Sequence, residues 1–80
     1  TNATIVMDNE PRSREITKLL EKNINAGYSV CMFPEHVEQK DINEMILDGK
    51  MSKDEIVELI NTNTFKGIEA KLRFSTWKKI

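Results

Sequence analysis

The sequence predicts an α/β fold: a βαβ unit with a short parallel sheet, followed by additional helices. Two apolar runs, residues 4–7 and 28–33, suit strands, and the residues between them repeat apolar side chains at helical spacing. A strand, a helix and a second strand within roughly thirty residues form a βαβ unit. Because 80 residues allow one small domain and no more, residues 1–80 are expected to form a single domain.

The first strand is followed by an acidic turn and a helix. Pro11 suits the first turn of that helix, where its missing N–H is not needed, and Asn9 and Glu10 suit the cap and the first turn. Gly27 is a natural left-handed stop for the helix. The apolar residues that recur at helical spacing are Ile16, Leu19, Leu20 and Ile24.

The second strand, residues 28–33, is almost continuously apolar instead of alternating. This pattern favours a strand that is covered on both faces, as in a parallel sheet. Cys31 lies in its middle and is expected to be buried and inert. The acidic turn after the first strand then falls at the carboxyl end of the sheet, the edge where ligands bind in open α/β folds.

Two helices and an ambiguous tail follow. One helix is predicted at residues 41–47, and another begins at Ser52, which forms a capping box with Glu55. The expected buried faces are Ile42, Met45 and Ile46 on the first helix, and Ile56, Leu59 and Ile60 on the second.

The tail, residues 64–80, fits either a strand or a helix. Its polar and apolar residues alternate, as in a strand, but Phe65, Ile68 and Leu72 also fit one helix face. A helix is the preferred prediction, because residues 69–73 are good helix formers. Trp77 is expected to cover the small core.

The composition excludes some functional classes. With 12 Lys and Arg against 13 Asp and Glu, the net charge is −1, so the chain is no basic tail that binds nucleic acid through bulk charge. No apolar run is long enough to span a bilayer. One cysteine allows neither an internal disulfide nor a Cys-based zinc site, so a reducing, cytoplasmic setting is expected.

The acidic residues have two interpretations. Asp8 and Glu10 can point at a common spot, and Mg²⁺ usually takes one or two carboxylates together with phosphates and water, which suggests a Mg²⁺ or Mn²⁺ site. Helix capping is the alternative, and spacing alone favours it. Asp41 and Glu44 likewise suit a capping box or a metal site. Both interpretations can hold for Asp41, since one carboxylate oxygen can cap the helix while the other binds a cation.

The basic residues are equally open. Arg12 and Arg14 follow the acidic turn and could hold phosphates near a helix N-terminus, or they could lie on a solvated helix face. Lys40 has the same two interpretations. A basic strip is a further possibility near the end of the chain, formed by Lys71, Arg73, Lys78 and Lys79.

The opening of the chain resembles a two-component receiver domain. An acidic pair precedes Pro11, a helix follows, and Gly27, Tyr28 and Val30 match the Gly-Tyr-x-Val pattern. The resemblance ends there, because no Asp closes a third apolar strand. It implies a non-catalytic α/β module that binds a protein partner, which is our alternative function.

A longer stretch, about residues 5–61, resembles the later part of the Toprim (topoisomerase-primase) domain of phage-type DNA primases. The family has Asp-x-Asp at a strand end, a strand ending in a hydrophobic residue and Pro, then Lys-Asp-x-Asn-Glu and Leu-x-Gly. The matching segments are, in order, Asp8-Asn9-Glu10, Phe33-Pro34, Lys40-Asp41-Ile42-Asn43-Glu44 and Leu47-Asp48-Gly49. Residues 67–77 are similar to the end of the primase subunit of T-even-type phages.

The resemblance implies a nucleotidyltransferase that makes RNA primers on single-stranded DNA from ribonucleotides. Matched by motif, Asp8, Glu10 and Asp41 would be catalytic ligands of Mg²⁺ or Mn²⁺, which activates a 3′-hydroxyl and steadies the leaving pyrophosphate. Arg12 matches the basic residue after the acidic motif, and with Arg14 and Lys40 it is a candidate for binding nucleotide. The resemblance also implies phage replication in the cytoplasm of an infected bacterium, a replicative helicase as partner, and no membrane.

The family's catalytic Glu lies on a strand that precedes the matched stretch. We therefore expect this chain to be the C-terminal part of a partial Toprim fold and to be inactive alone. The absent strands would leave a sheet edge open, through which two copies could pair. Residues 1–3 are candidates for a cloning remnant.

Overall fold

The computed structural model describes residues 3–80, which form a three-stranded sheet and four helices. In chain order the elements are β1 Thr4–Val6, α1 Arg14–Asn25, β2 Ser29–Cys31, α2 Ile42–Leu47, α3 Lys53–Thr62, β3 Thr64–Phe65 and α4 Gly67–Trp77. The predicted α/β class, with a βαβ unit, a short parallel sheet and additional helices, is confirmed. Thr1 and Asn2 lie outside the described residues. The expectation that residues 1–3 are a cloning remnant therefore falls mostly outside them as well.

β2 is the central strand of the sheet. It pairs with β1 in parallel and with β3 in antiparallel, so the sheet order is β1-β2-β3. The parallel pair is the βαβ unit that the sequence predicts, whereas the two-residue β3 was not predicted. β1 lies at the edge, and no strand among residues 3–80 covers its outer side.

The segment around β2 is buried on both faces, which explains its continuous apolar sequence. Val30 and Met32 belong to one core, which is formed with α1 and α4. Cys31 and Phe33 belong to a second core, formed with α2, α3 and the loop between β2 and α2. The sheet therefore separates two small cores, as the apolar run predicts.

α1 begins later than predicted. Its N-cap is Ser13, whose hydroxyl accepts from the backbone N–H of Ile16 at 3.2 Å. Pro11 lies before the helix, in a turn that the Ser13 N–H closes on the Glu10 carbonyl at 3.0 Å. Pro is favoured at the second position of such a turn, where its fixed φ fits and no N–H is required. Asn9 and Glu10 are therefore free of the capping role expected for them.

The other predicted helix boundaries are confirmed where local chemistry sets them. α1 ends at Asn25 with Ala26 as its C-cap, followed by Gly27 with φ +91°, a conformation that glycine adopts at little cost. At the start of α3, Ser52 and Glu55 form both hydrogen bonds of the capping box. Within the described residues, no helix combines the length and the apolarity needed to cross a bilayer.

The tail is helical, as preferred, but the predicted face of α4 is wrong. Ile68 is 75% exposed and Leu72 is 67% exposed. Phe65 lies in β3, ahead of the helix. Pairing of β3 with β2 fixes where α4 starts and hence its rotation against the core. The side chains that α4 buries are Ala70, Phe74 and Trp77, so Trp77 covers the core as expected.

The predicted face of α2 is also only partly buried. Met45 is fully buried, but Ile42 and Ile46 are both classed among the exposed apolar side chains. α2 has only six residues, and Met45 is the one residue of this helix that is buried in the second core.

Candidate functional site

The turn after β1 begins with Asp8 and is fixed by Asn9. The backbone N–H of Asn9 donates to the carbonyl oxygen of Lys40. Its side-chain Nδ2 donates to the carbonyl oxygens of Val37, at 2.9 Å, and Gln39, at 3.1 Å. One residue at the carboxyl end of β1 is therefore bonded three times to the loop that leads into α2.

Asp8 and Asp41 line the same depression, which has a volume of about 300 Å³. Asp8 reaches it from the end of β1, and Asp41 reaches it from the start of α2. The remaining lining residues are Val6, Met7, Phe33, Ile42 and Asn43. Two acidic residues that are far apart in sequence therefore line one depression at the carboxyl end of the parallel strands, the edge at which open α/β folds bind ligands.

The two oxygens of Asp41 have different surroundings. Oδ1 accepts from the backbone N–H of Glu44 at 2.8 Å and caps α2. The return bond of the predicted capping box is shifted by one residue, because Glu44 Oε2 accepts from the N–H of Lys40, at 3.3 Å, instead of that of Asp41. No hydrogen bond to Oδ2 is found within residues 3–80. Capping therefore leaves one oxygen of Asp41 available to a cation.

Glu10 does not share this depression. It lines a wider groove of about 790 Å³, which is formed between the turn after β1, the loop after β2 and the end of α4. Phe33 lines both the depression and the groove, so the two adjoin. The charged residues that line the groove are Glu10, Arg12, Glu35, Glu38, Arg73 and Lys79.

Asp8 and Asp41 carry the oxygen ligands that hard divalent cations prefer. Across residues 3–80, no three side chains of His, Cys, Asp or Glu are grouped so that they could hold a metal ion. Mg²⁺ does not require such a cage, because it commonly binds one or two carboxylates and completes its shell with phosphate oxygens and water. Asp8 and the free oxygen of Asp41 supply that number.

The candidate phosphate-binding residues are not gathered at one point. Arg12 lines the groove, Arg14 is the exposed first residue of α1, and Lys40 is exposed beside Asp41. Of the suggested basic strip, only Arg73 and Lys79 line the groove. The groove carries as many acidic as basic side chains, so it is not a strongly cationic surface.

Sequence reasoning missed the contacts that join distant segments. Lys79 forms an ion pair with Glu35 at 2.8 Å and donates its backbone N–H to the carbonyl oxygen of Pro11 at 2.8 Å. Arg73 Nε and Trp77 Nε1 are buried and have no hydrogen-bond partner among the described residues. No periodicity or cap motif indicates such contacts. Asn9 could have been found only by noting that a turn asparagine can bond to a distant loop.

The comparison with curated proteins gives one informative relative. The chain is 34% identical over 76 residues to the DNA primase of Enterobacteria phage T4. The match takes in 94% of this chain and 22% of the T4 protein, so the chain spans about a fifth of that relative's length. No protein-family model matches the chain. At this identity and coverage, the chain is related in sequence to part of a phage DNA primase.

Proposed function

We propose that the chain is part of a phage-type DNA primase in which Asp8 and Asp41 bind a Mg²⁺ or Mn²⁺ ion for nucleotidyl transfer. The observation that carries the proposal is the depression shared by these two carboxylates at the carboxyl end of β1. The similarity to the T4 primase supports it independently. Nucleotidyl transfer from a nucleoside triphosphate commonly uses divalent cations that carboxylates hold.

The roles of the chain's own residues follow from their positions. Asp8 and Asp41 bind the cation, and the Oδ1 bond of Asp41 to α2 keeps its carboxylate oriented. When bound, the cation supplies positive charge against the triphosphate and lowers the pKa of a coordinated hydroxyl. Glu10 joins the site as a third carboxylate only if its side chain turns out of the groove.

Arg12 is the candidate basic residue best placed to bind nucleotide phosphates, because it lines the groove beside Glu10. Arg14 and Lys40 lie at the exposed periphery and would contribute longer-range attraction. Such contacts are screened by salt, so their contribution should fall as ionic strength rises.

The activity of the whole protein extends beyond this chain. We infer a Toprim catalytic domain of which this is the C-terminal portion, acting on single-stranded DNA template and ribonucleotides. The partner would be a replicative helicase, and the setting the cytoplasm of an infected bacterial cell. Since the chain corresponds to 22% of its relative, we expect it to bind a cation weakly and to make no primers alone.

Manganese titration of the 80-residue chain tests the cation site. Paramagnetic Mn²⁺ should broaden the NMR resonances of residues near Asp8 and Asp41 before others. Asp8→Asn and Asp41→Asn should each weaken this broadening, while the asparagine at position 41 can still cap α2. Asp54→Asn, at an exposed position in the first turn of α3, is the matched control. Broadening that is absent, or that follows no Asp8 or Asp41 dependence, would overturn the proposal.

Primer synthesis by the longer protein tests the reaction. Asp8→Ala should abolish synthesis while the fold is retained, and continued synthesis would refute the assignment. Covalent modification of Asp8 by acetyl phosphate would instead support the receiver-like alternative.

A further inference from the structure

We propose that Asn9 is the positioning residue of the Asp8–Asp41 site, because its carboxamide sets the relative placement of the two carboxylates. The inference rests on the proposed function for the cation and extends it to a residue that carries no charge. Asn9 is not a residue of either apolar core. Of the three residues whose carbonyls it contacts, only Val37 belongs to a core.

One backbone hydrogen bond connects the two halves of the site. Its donor is the N–H of Asn9, the residue immediately after Asp8. Its acceptor is the carbonyl oxygen of Lys40, the residue immediately before Asp41. Asp8 and Asp41 are therefore the chain neighbours of the two residues that this bond joins, so a longer or broken bond lets the two acidic residues move apart.

The side chain of Asn9 holds that bond in place. A carboxamide carries two N–H donors on one nitrogen, and Nδ2 of Asn9 has two acceptors, the carbonyl oxygens of Val37 and Gln39. With the backbone N–H, three donors of one residue bond three carbonyls of the loop, residues 37–40. Among residues 3–80 these are the hydrogen bonds that join the turn at residues 8–12 to the loop at residues 34–41.

Few other side chains can make these contacts. Aspartate has the same shape but no donor at neutral pH, and its oxygens would face two carbonyl oxygens. Serine has one donor on a shorter arm. The loop has no regular secondary structure of its own to fix it against β1. Without the carboxamide, one backbone hydrogen bond joins the turn to the loop.

Loss of the carboxamide should therefore weaken cation binding more than it weakens the fold. Changing a residue that orients metal ligands typically lowers metal affinity about 10–100-fold. We expect Asn9→Ala to raise the Mn²⁺ dissociation constant of the 80-residue chain by about that factor. The thermal midpoint should fall by several degrees, because two part-buried hydrogen bonds are lost, but the chain should stay folded because both cores remain packed.

Hydrogen exchange supplies a readout that does not depend on metal. The backbone amide of residue 9 should be protected in the parent chain and should exchange much faster in Asn9→Ala, which retains the N–H but loses the side-chain bonds. Asn23→Ala is the matched control, since Asn23 Nδ2 donates to the carbonyl oxygen of Leu19 on α1, at 2.9 Å. That variant should leave both the amide of residue 9 and the Mn²⁺ affinity unchanged.

The outcomes separate this inference from the proposed function. A parent chain that binds no Mn²⁺ at Asp8 and Asp41 contradicts the proposed function, and the exchange of the residue 9 amide still decides the positional role of Asn9. Unchanged exchange in Asn9→Ala overturns the inference, whatever the parent binds. Where the parent binds Mn²⁺, equal affinity in Asn9→Ala also overturns it.

Discussion

The ammonium nitrogen of Lys79 lies 2.8 Å from Oε1 of Glu35. The backbone N–H of Lys79 also donates to the carbonyl oxygen of Pro11 at 2.8 Å. The segment that follows α4 is therefore attached both to the loop after β2 and to the turn after β1. These attachments hold together the walls of the groove that Glu10 and Arg12 line.

Removing the ammonium should change the titration of Glu35. The hydrogen bond from Lys79, and then its charge, hold the pKa of Glu35 below its ordinary value. In Lys79→Ala we expect that pKa to rise. Because the folded-state pKa is the lower one, the ion pair stabilises the fold above the unfolded pKa, and this contribution is lost as pH falls through the folded pKa. NMR titration of the carboxyl carbons measures the shift.

Glu55 is an internal control for this experiment. The backbone and side chain of Ser52 hold its pKa below the ordinary value through the capping box, far from Lys79. Lys79→Ala should leave the pKa of Glu55 unchanged. A Glu35 titration that is identical in parent and variant would mean that the ion pair does not form in solution.

The second core gives a prediction for stability. Met45 is fully buried there, and replacement of such a side chain by Ala removes apolar contacts and leaves a cavity. We expect Met45→Ala to lower the free energy of unfolding by about 2–5 kcal/mol, which is a large fraction of the stability of so small a domain. Leu47→Ala, at a position that is 68% exposed on the same helix, should change it by about 0.5 kcal/mol or less.

Urea denaturation measures both Met45→Ala and Leu47→Ala. Equal effects of the two substitutions would show that α2 is not packed on the sheet as described. Because α2 carries Asp41 at its cap, such a result would also separate Asp41 from Asp8.

Cys31 gives a prediction for reactivity and pH. Burial raises the pKa of its thiol to about 11. The thiolate is the reactive form, so the folded chain should resist alkylation at mildly alkaline pH, while the chain unfolded in urea reacts readily. Because the folded-state pKa of the thiol is the higher one, ionisation of Cys31 opposes folding. Its contribution to the free energy of unfolding is therefore complete below the unfolded pKa and is lost as pH rises through about 11.

Thiolate absorbance in the ultraviolet measures the titration, and iodoacetamide labelling measures the reactivity. Equal labelling rates for the folded and unfolded chains would contradict the burial of Cys31 in the central strand. The thiol would then have to lie at the surface.

The parts of the fold that were predictable are those fixed by neighbours in sequence. The apolar run around Val30 predicts a strand buried on both faces, and Ser52 and Glu55 predict a helix start through a bond between residues three apart. The buried face of α4 could not be predicted in this way, because Leu72 and Phe74 are both apolar. Pairing of β3 with β2 decides which of them meets the core.

The candidate site also has a part that local sequence predicts and a part that it does not. Asp8 follows a strand and Asp41 precedes a helix, so their positions at element ends are visible in the sequence. That they line one depression follows from contacts between distant segments, among them the bonds of Asn9 to residues 28 and 30 positions away. Residue spacing treats Asp8 and Glu10 as a pair, but the backbone folds sharply between them, where the Glu10 N–H donates to the Asp8 carbonyl oxygen at 2.9 Å, and Glu10 lines the neighbouring groove. Backbone conformation, not spacing, makes that distinction.

The exposed edge of β1 gives the last prediction. With no strand on its outer side among residues 3–80, β1 can pair with β1 of a second copy. The strand has only three residues, so the pairing should be weak and visible only at high protein concentration. We expect sedimentation velocity to show reversible dimers at millimolar concentration, and Thr4→Lys to abolish them, because a lysine on an edge strand opposes pairing. Thr62→Lys adds the same charge at the end of α3 and should leave the dimers intact. Dimers that survive Thr4→Lys would place the contact elsewhere, and a chain that stays monomeric would show that this edge does not self-associate.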